Sequence, residues 1–203
     1  MSLIKSVANV QDWTAVAQAA IGESAVLDCS TFVESVLSIQ AFLDTTTAHT
    51  GTEFIIQTSA ATTGDEDWQD FCRFVELIHA TPLTVTITNN PAAAGTTVLT
   101  SGTVAAGWAV ADLSTRWIGI KNSTLINSEL GLQVGYANNT SVTIQDGTTN
   151  EHAQNTTVHL VAFTKEIMIP ISFNRVRVVI NNNYDNNGST LNYKVRVSKV
   201  TAL

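Results

Sequence analysis

Histidines and clustered acidic residues are the side chains best suited to catalysis or metal binding, and this sequence spaces them widely. His49, His79, His152 and His159 lie in unrelated settings, and no two of them have the i, i+4 spacing of a zinc-binding helix. The single acidic cluster, residues 65–67, stands at the start of a predicted helix, where carboxylates commonly stabilise the positive end of the helix dipole. We therefore predict that the protein binds no metal and no cofactor.

Motifs for nucleophilic catalysis and nucleotide binding are also missing from the sequence. It contains no GxSxG elbow, and no glycine-rich phosphate loop precedes a helix. Acidic residues are sparse in the predicted strands, so a carboxylate pair for glycoside hydrolysis cannot be assigned. We therefore expect that the protein is not an enzyme.

Two weaker binding patterns leave alternatives open. Asn183, Asp185, Asn187 and Gly188 match the first half of a calcium loop, but Lys194 stands where that loop needs an acid. We interpret this segment as a tight hairpin loop, with weak calcium binding as the alternative.

Aromatic side chains offer the second pattern, a sugar-binding platform. The four tryptophans that could contribute are Trp13, Trp68, Trp108 and Trp117. They form no cluster along the sequence, so they leave carbohydrate binding as an alternative only.

Charge is scarce and unevenly distributed along the chain. The 203 residues are 44% hydrophobic and 13% charged, with a net charge of −7, which argues against general binding of nucleic acid. Residues 164–203 nevertheless carry six lysines and arginines against two acids. We predict that Arg175, Arg177 and Arg196, together with Trp13, contact a partner; a solvated basic strand face is the alternative.

Two segments have the periodicity of helices. Residues 12–22 place apolar side chains at i, i+3, i+4, i+7 and i+8, between a capping Asp12 and Gly22. Residues 65–78, which follow Gly64, repeat Trp68 and further apolar residues at helical spacing. We predict an N-terminal helical segment or arm over residues 1–24 and one short interior helix.

The remaining chain alternates with the period of two that strands require. The clearest alternation lies in residues 173–180 and 191–200, which we predict to form a hairpin. Residues 89–107 are rich in Gly, Ala and Thr and predict a flexible insertion. The pattern predicts an all-β fold, a β-sandwich of the jelly-roll type, forming a single domain over residues 25–203.

Membrane insertion and disulfide bonding are not expected. The longest apolar runs are far shorter than the roughly 18 residues that a spanning helix needs, and the N-terminus has no apolar signal core. Cys29 and Cys72 lie on separate predicted elements and form no CxxC pair, which indicates two free thiols.

Three sequence segments resemble small β-sandwich proteins encoded among the structural genes of tailed bacteriophages. They are residues 51–59 (GTEFIIQTS) with the later Asp67-Trp68, residues 175–183 (RVRVVINNN), and residues 194–197 (KVRV). The resemblance implies a virion protein made in the host cytoplasm that cements or decorates the capsid. It implies the major capsid protein or other virion proteins as partners, and a dimer or trimer. It transfers no functional residues.

The alternative within the same class is a tail-associated module that binds receptors through carbohydrate. That hypothesis predicts an exposed aromatic groove, whereas a capsid cement protein is expected to present a face that fits neighbouring subunits.

Overall fold

The structure is a computed structural model that describes residues 3–44, 48–64, 67–78, 84–101, 116–137, 140–182 and 189–202. In these residues the regular structure is antiparallel β-sheet, apart from one three-residue 3-10 helix, Leu125–Asn127. The strands are β1 (Leu3–Val16), β2 (Ile21–Glu23), β3 (Leu27–Asp28), β4 (Phe32–Asp44), β5 (Thr52–Ser59), β6 (Gln69–Glu76), β7 (Thr84–Thr86), β8 (Val98–Thr100), β9 (Arg116–Lys121), β10 (Glu129–Ala137), β11 (Ser141–Ile144), β12 (Thr157–His159), β13 (Ala162–Ile169), β14 (Arg175–Asn181) and β15 (Thr190–Ala202). The all-β prediction is confirmed.

Two sheets pack face to face as a sandwich. Sheet A has the order β1-β15-β4-β13, and sheet B has the order β2-β14-β5-β6, with β3 pairing to β14. Their strands alternate as the sequence predicts, so that one side of each strand enters a common core. The largest fully buried side chains of this core are Leu37, Ile39, Leu43, Phe54, Ile56 and Tyr193.

The chain repeatedly crosses from one sheet of the sandwich to the other. The connections β1–β2, β4–β5 and β14–β15 each leave sheet A or sheet B and enter its partner. The predicted hairpin between the last two long strands is therefore wrong. Asn182 explains the turn away from sheet B, because its buried amide donates to the carbonyls of Val16 (3.2 Å), Ala17 (2.9 Å) and Ser189 (2.8 Å).

A third sheet is formed by the strands that lie between β6 and β13 in the sequence. Its six strands have the order β7-β12-β9-β10-β11-β8, and a bridge between Ile87 and Ser101 joins the two outer strands. The sheet therefore closes on itself as a small barrel, here called the barrel. Its interior is a separate apolar cluster of Val85, Ile87, Ala92, Leu99, Ile118, Ile120, Val142, Ile144, Val158 and Leu160.

Part of the predicted flexible insertion belongs to this barrel. Within residues 89–107, β8 pairs with β11, and Ala92 and Leu99 are buried. Low complexity predicted a loop, yet small residues suit this narrow barrel because their backbones can approach closely. Residues 102–107 lie outside the described part of the chain. The division into an N-terminal segment and one domain stays a prediction.

Both predicted helices are strands, and bulges explain the misleading periodicity. β1 pairs with β15 along its length, but its register shifts on both sides of Gln11, so the apolar residues no longer recur every second position. β6 has a bulge opposite Ile56 and Gln57. Phe74 faces the sandwich core, whereas Trp68 lies on its outer side. Apolar residues on both sides of the segment produce the spacing that a helix would show.

Sheet A and the barrel meet where Phe42 of β4 turns away from the sandwich core. Its ring lies against Trp13 (centroids 5.1 Å apart) and His159 (5.4 Å). Gly119 of β9 covers the same ring: a Cβ built there would lie 2.3 Å from Phe42 Cγ and 2.4 Å from Phe42 Cβ. Only glycine lets the barrel approach the sheet this closely.

Replacing Gly119 with alanine should therefore destabilise the protein by at least about 1–3 kcal/mol, the usual cost of forcing a methyl group into a packed interior. The measurement is equilibrium unfolding in urea followed by tryptophan fluorescence. Gly135→Ala is the matched control, because a Cβ there meets Thr143 at an ordinary 3.7 Å. Equal unfolding midpoints for the two variants would contradict this account of the junction.

Candidate functional site

The outer face of sheet A carries a row of polar side chains across all four of its strands. Asn9, Arg196, Ser38 and Glu166 stand opposite one another in the ladders β1-β15-β4-β13. Because directly opposed residues share a face, Arg196 and Glu166 face the same solvent, separated by β4. Opposite charges thus stand about 10 Å apart on one surface, given the spacing of neighbouring strands.

A second row, called the apolar row because three of its four residues are apolar, runs beside the polar one. Val7, Ser198, Val36 and Met168 are opposed in the same four strands. Val7 is 55% exposed and Met168 66% exposed. Water therefore covers apolar side chains that are aligned on one face and adjoin an arginine, a combination typical of protein interfaces.

The barrel converts this face into a groove. A cavity of about 340 Å³ lies between the face and Trp117 of β9, with Gln40 and Arg196 in its lining. A second cavity of about 350 Å³ adjoins Gln40 and Arg196 and is lined further by Trp13, Asn150 and other polar residues. We call the two cavities together the Arg196 groove.

Arg196 is the member of this groove that is free to bind. It is exposed, and it forms no hydrogen bond, ion pair or ring contact with the described residues. Its neighbour Lys194, by contrast, lies 3.6 Å from the carboxylate of Asp12. An unpaired guanidinium keeps five donors available for a carboxylate or carbonyl of a partner.

Arg175, also predicted to contact a partner, lies elsewhere and is occupied. It is buried on the outer face of sheet B, where its Nε donates to the carbonyl of Ala61 at 2.8 Å and its Nη2 to that of Thr63 at 3.3 Å. Its guanidinium also lies 4.9 Å from the centre of the Trp68 ring. Arg175 thus holds the turn that follows β5.

Arg177 likewise has partners within its own chain. Its Nε donates to Gln57 at 2.9 Å, its Nη1 lies 3.2 Å from Glu23, and its guanidinium covers Trp68 at 4.5 Å. The basic C-terminal region is therefore divided between two opposite surfaces, with Arg175 and Arg177 on sheet B and Arg196 on sheet A.

Trp13, the fourth predicted contact residue, lies at the inner end of the groove. It is only 5% exposed, because its ring packs on Phe42 beneath the barrel. The structure thus brings Trp13 and Arg196 to one cavity but leaves little of the indole available for stacking.

Sequence reasoning missed Gln40 and Glu166, and it named Trp117 only as one of four tryptophans for a sugar platform. The alternation of β13 could have placed Glu166 on the outer face, since its neighbours Ile167 and Ile169 face the core. The position of Trp117 in this groove could not have been found, because nothing local predicts that a strand 77 residues after Gln40 closes the same groove.

The wall of the second cavity is fixed by a buried hydrogen-bonded pair between β10 and a barrel loop. Nε2 of the fully buried His152 lies 2.5 Å from Oε1 of Glu129. The backbone N–H groups of Thr149 and Asn150 donate to the same carboxylate at 2.7 and 3.3 Å. Burial opposes ionisation, but these hydrogen bonds outweigh it and hold the pKa of Glu129 below its usual value.

The other histidines do not form a reactive centre in the described residues. His159 lies between the barrel and sheet A, where burial lowers its pKa to about 4 despite the nearby Asp44. His49 is hydrogen-bonded to Thr52 at 3.1 Å inside the sandwich. Among the described residues no group of three His, Cys, Asp or Glu side chains could hold a metal.

Several sequence candidates lie outside the part of the chain that the structure describes. They are His79, Trp108 and the predicted calcium loop at residues 183–188. Both cysteines are free thiols, as predicted. The one helical element in the described ranges, three residues long, is far too short to cross a membrane.

Comparison with known proteins gives only distant similarities. No protein-family model and no curated protein matches the sequence. The SPBc2 prophage-derived protein YomS is 9% identical, with a TM-score of 0.30 over 99% of this chain and 96% of that one. The K3 adhesin domain of Lys-gingipain from Porphyromonas gingivalis w83 is 9% identical, with a TM-score of 0.34 over 94% and 74%.

A capsid protein of bacteriophage P23-77, VP17, is 5% identical, with a TM-score of 0.21 over 100% of this chain and 98% of its own. These TM-scores are too low to establish a shared fold or function.

The Glu129 carboxylate makes an acid-sensitive contribution that Glu129→Gln should remove. Because its pKa in the folded state lies below the unfolded value of about 4.3, the ionised group stabilises the fold above that pH. This stability is lost as the pH falls through the folded-state pKa. We expect the variant to lose about 1.5–3 kcal/mol of unfolding free energy at neutral pH, the typical worth of hydrogen bonds to a charged group.

In acid the difference between the variant and the parent protein should shrink towards zero, because both side chains are then uncharged. Urea unfolding across the acid range measures this, with the exposed neighbour Glu151→Gln as the control. A constant offset at every pH would show that the charge of Glu129 does not matter.

Proposed function

We propose that this chain is a non-enzymatic structural protein of a virion, built on a jelly roll. The support is the strand order of the sandwich. Eight strands, β1, β2, β4, β5, β6, β13, β14 and β15, form the two sheets β1-β15-β4-β13 and β2-β14-β5-β6. Every connection along the chain except β5–β6 leads from one sheet to the other. Such double-sheet arrangements are common in capsid and lectin domains, which is an argument by fold analogy. On this proposal the barrel is an insertion between the fifth and sixth jelly-roll strands, β6 and β13.

The proposed role within the virion is that of a cement or decoration protein that docks through the Arg196 groove. A single observation supports this choice of face: Arg196 is exposed and unpaired beside an exposed apolar row. Arginine with apolar neighbours is the composition of energetically important interface centres. The nominated Arg175 and Arg177 already have partners within the chain, so sheet A is the better docking surface.

The proposed partner is the major capsid protein or another virion protein that presents a carboxylate to Arg196. Glu166 is exposed on the same face, two strands from Arg196. A partner that also presents a cation to Glu166 would be held in one orientation. A dimer or trimer placed over a junction between capsid subunits would bind the assembled shell alone. Binding of this kind stabilises the shell by mass action.

Neutralising Arg196 tests this docking face. We expect Arg196→Gln to weaken binding to purified capsids at least about tenfold, a modest loss for a central interface arginine. The measurement is co-sedimentation of the protein with capsids over a range of concentrations. Arg73→Gln is the matched control, because it removes the same charge from the opposite outer face, where the Arg73 side chain is 55% exposed.

Capsid affinities equal to that of the parent protein in both variants would exclude the Arg196 groove as the docking face. Loss of binding in both variants would point to a general effect of net charge.

A carbohydrate-binding module of the tail is the second candidate function, and one observation favours it. The second cavity of the groove is lined by amides and a carboxylate, from Asn9, Gln40, Asn150 and Glu129, which are groups that bind sugar hydroxyls. The burial of Trp13 speaks against it, because a sugar ring needs an exposed aromatic face. Retention of host-surface glycans by the protein, lost in Asn150→Ala, would favour this function over capsid docking.

A further inference from the structure

Two neighbouring side chains of the barrel carry buried polar atoms that have no hydrogen-bond partner among the described residues. Gln133 is fully buried, and neither its amide nitrogen nor its amide oxygen forms a hydrogen bond with the described residues. The Nε and Nη2 atoms of Arg116 are likewise buried and unpaired among those residues. Buried polar groups are nearly always satisfied, so two orphans side by side call for an explanation.

The strand register places these two side chains together. Arg116 of β9 and Gln133 of β10 are direct partners in the antiparallel ladder. Directly opposed residues lie on one face with Cβ atoms about 4.5–5.5 Å apart. One small group can therefore accept hydrogen bonds from the guanidinium and from the carboxamide at the same time.

Arg116 also opens onto a cavity of about 290 Å³ between the barrel and the sandwich. The walls are mainly apolar, with Leu77, Val161 and Phe163 among them. Glu76 also lines the cavity, but its carboxylate lies 3.2 Å from Lys165 and so has its own cation.

Among the residues that the structure describes, no acidic side chain pairs with this guanidinium. Burial lowers the pKa of Arg116 to about 10. A buried charge without a partner is costly, and an uncompensated arginine is rarely retained in an interior without a counter-ion.

We propose that Arg116 and Gln133 form a binding site for a carboxylate carried on an apolar group. The fork of the guanidinium matches the two oxygens of a carboxylate, and the amide nitrogen of Gln133 supplies a further donor. The apolar walls of the cavity accommodate the chain attached to the carboxylate. A single negative charge suits the site better than a phosphate dianion, because Glu76 lies in the same lining. This site is separate from the Arg196 groove and does not depend on the proposed function.

Calorimetric titration with hexanoate, and with hexanol as the uncharged control, tests the proposal on the full chain. We expect saturable binding of hexanoate, no binding of hexanol, and at least a tenfold loss of hexanoate affinity in both Arg116→Gln and Gln133→Leu. N-acetyl-leucine and its amide form a second pair of probes, which separates a peptide C-terminus from a free acid as the source of the carboxylate. Binding of neither carboxylate, or equal binding of hexanoate and hexanol, would overturn the proposal.

Thermal unfolding separates ligand binding from a structural role of Arg116. If the site awaits a carboxylate, Arg116→Leu should raise the melting temperature of the ligand-free protein, because an unpaired buried charge is removed. Hexanoate should then stabilise the parent protein and leave this variant unchanged. A lower melting temperature for Arg116→Leu, together with unchanged hexanoate affinity in both Arg116→Gln and Gln133→Leu, would show that both side chains serve the fold alone.

Discussion

The close contact between Gly119 and Phe42 is the constraint on which the rest of the structure depends. Phe42 belongs to a strand of the sandwich, yet its ring leaves the sandwich core and enters the junction with the barrel. A side chain at position 119 would separate the two bodies by the width of a methyl group or more. Their approach brings Trp117, two residues before Gly119 and on the same side of the strand, over the outer face of sheet A. The groove therefore exists because a strand of the barrel can lie directly on an aromatic ring.

The two outer faces of the sandwich have different characters, and this difference directs the functional argument. On sheet B the guanidinium groups of the arginines contact Gln57, Glu23 and Trp68 of the same chain, so their hydrogen-bonding and charge requirements are met without a partner. On sheet A, Arg196 and the apolar row remain open to solvent. Binding at sheet B would gain little free energy, because these existing contacts must be broken first. Binding at sheet A would gain free energy both from burying apolar side chains and from a new ion pair.

Alternation along single strands predicted which side chains face the core. It did not predict which strands pair with one another or how the barrel closes. The period of two predicted the outward arginines and the buried valines of β14 and β15, because side-chain direction in a strand is a local property. It misled in β1 and β6, where bulges interrupt the period.

The hairpin prediction failed because sheet membership is decided by which long-range partner each strand finds. Low complexity concealed β8 and Ala92, whose burial follows from barrel closure and from no local pattern. The sequence distinguishes none of the three arginines, because whether an arginine has a partner depends on residues far away in the chain.

The central claim is that the protein is a shell component acting through many repeated contacts, and its abundance in particles tests this most directly. The measurement is quantitative mass spectrometry of purified virus particles that contain this chain, with copies counted against the major capsid protein. The account predicts a copy number on the same scale as that of the capsid protein, because a cement protein occupies the repeated junctions of the shell. A few copies per particle, or none, would contradict it.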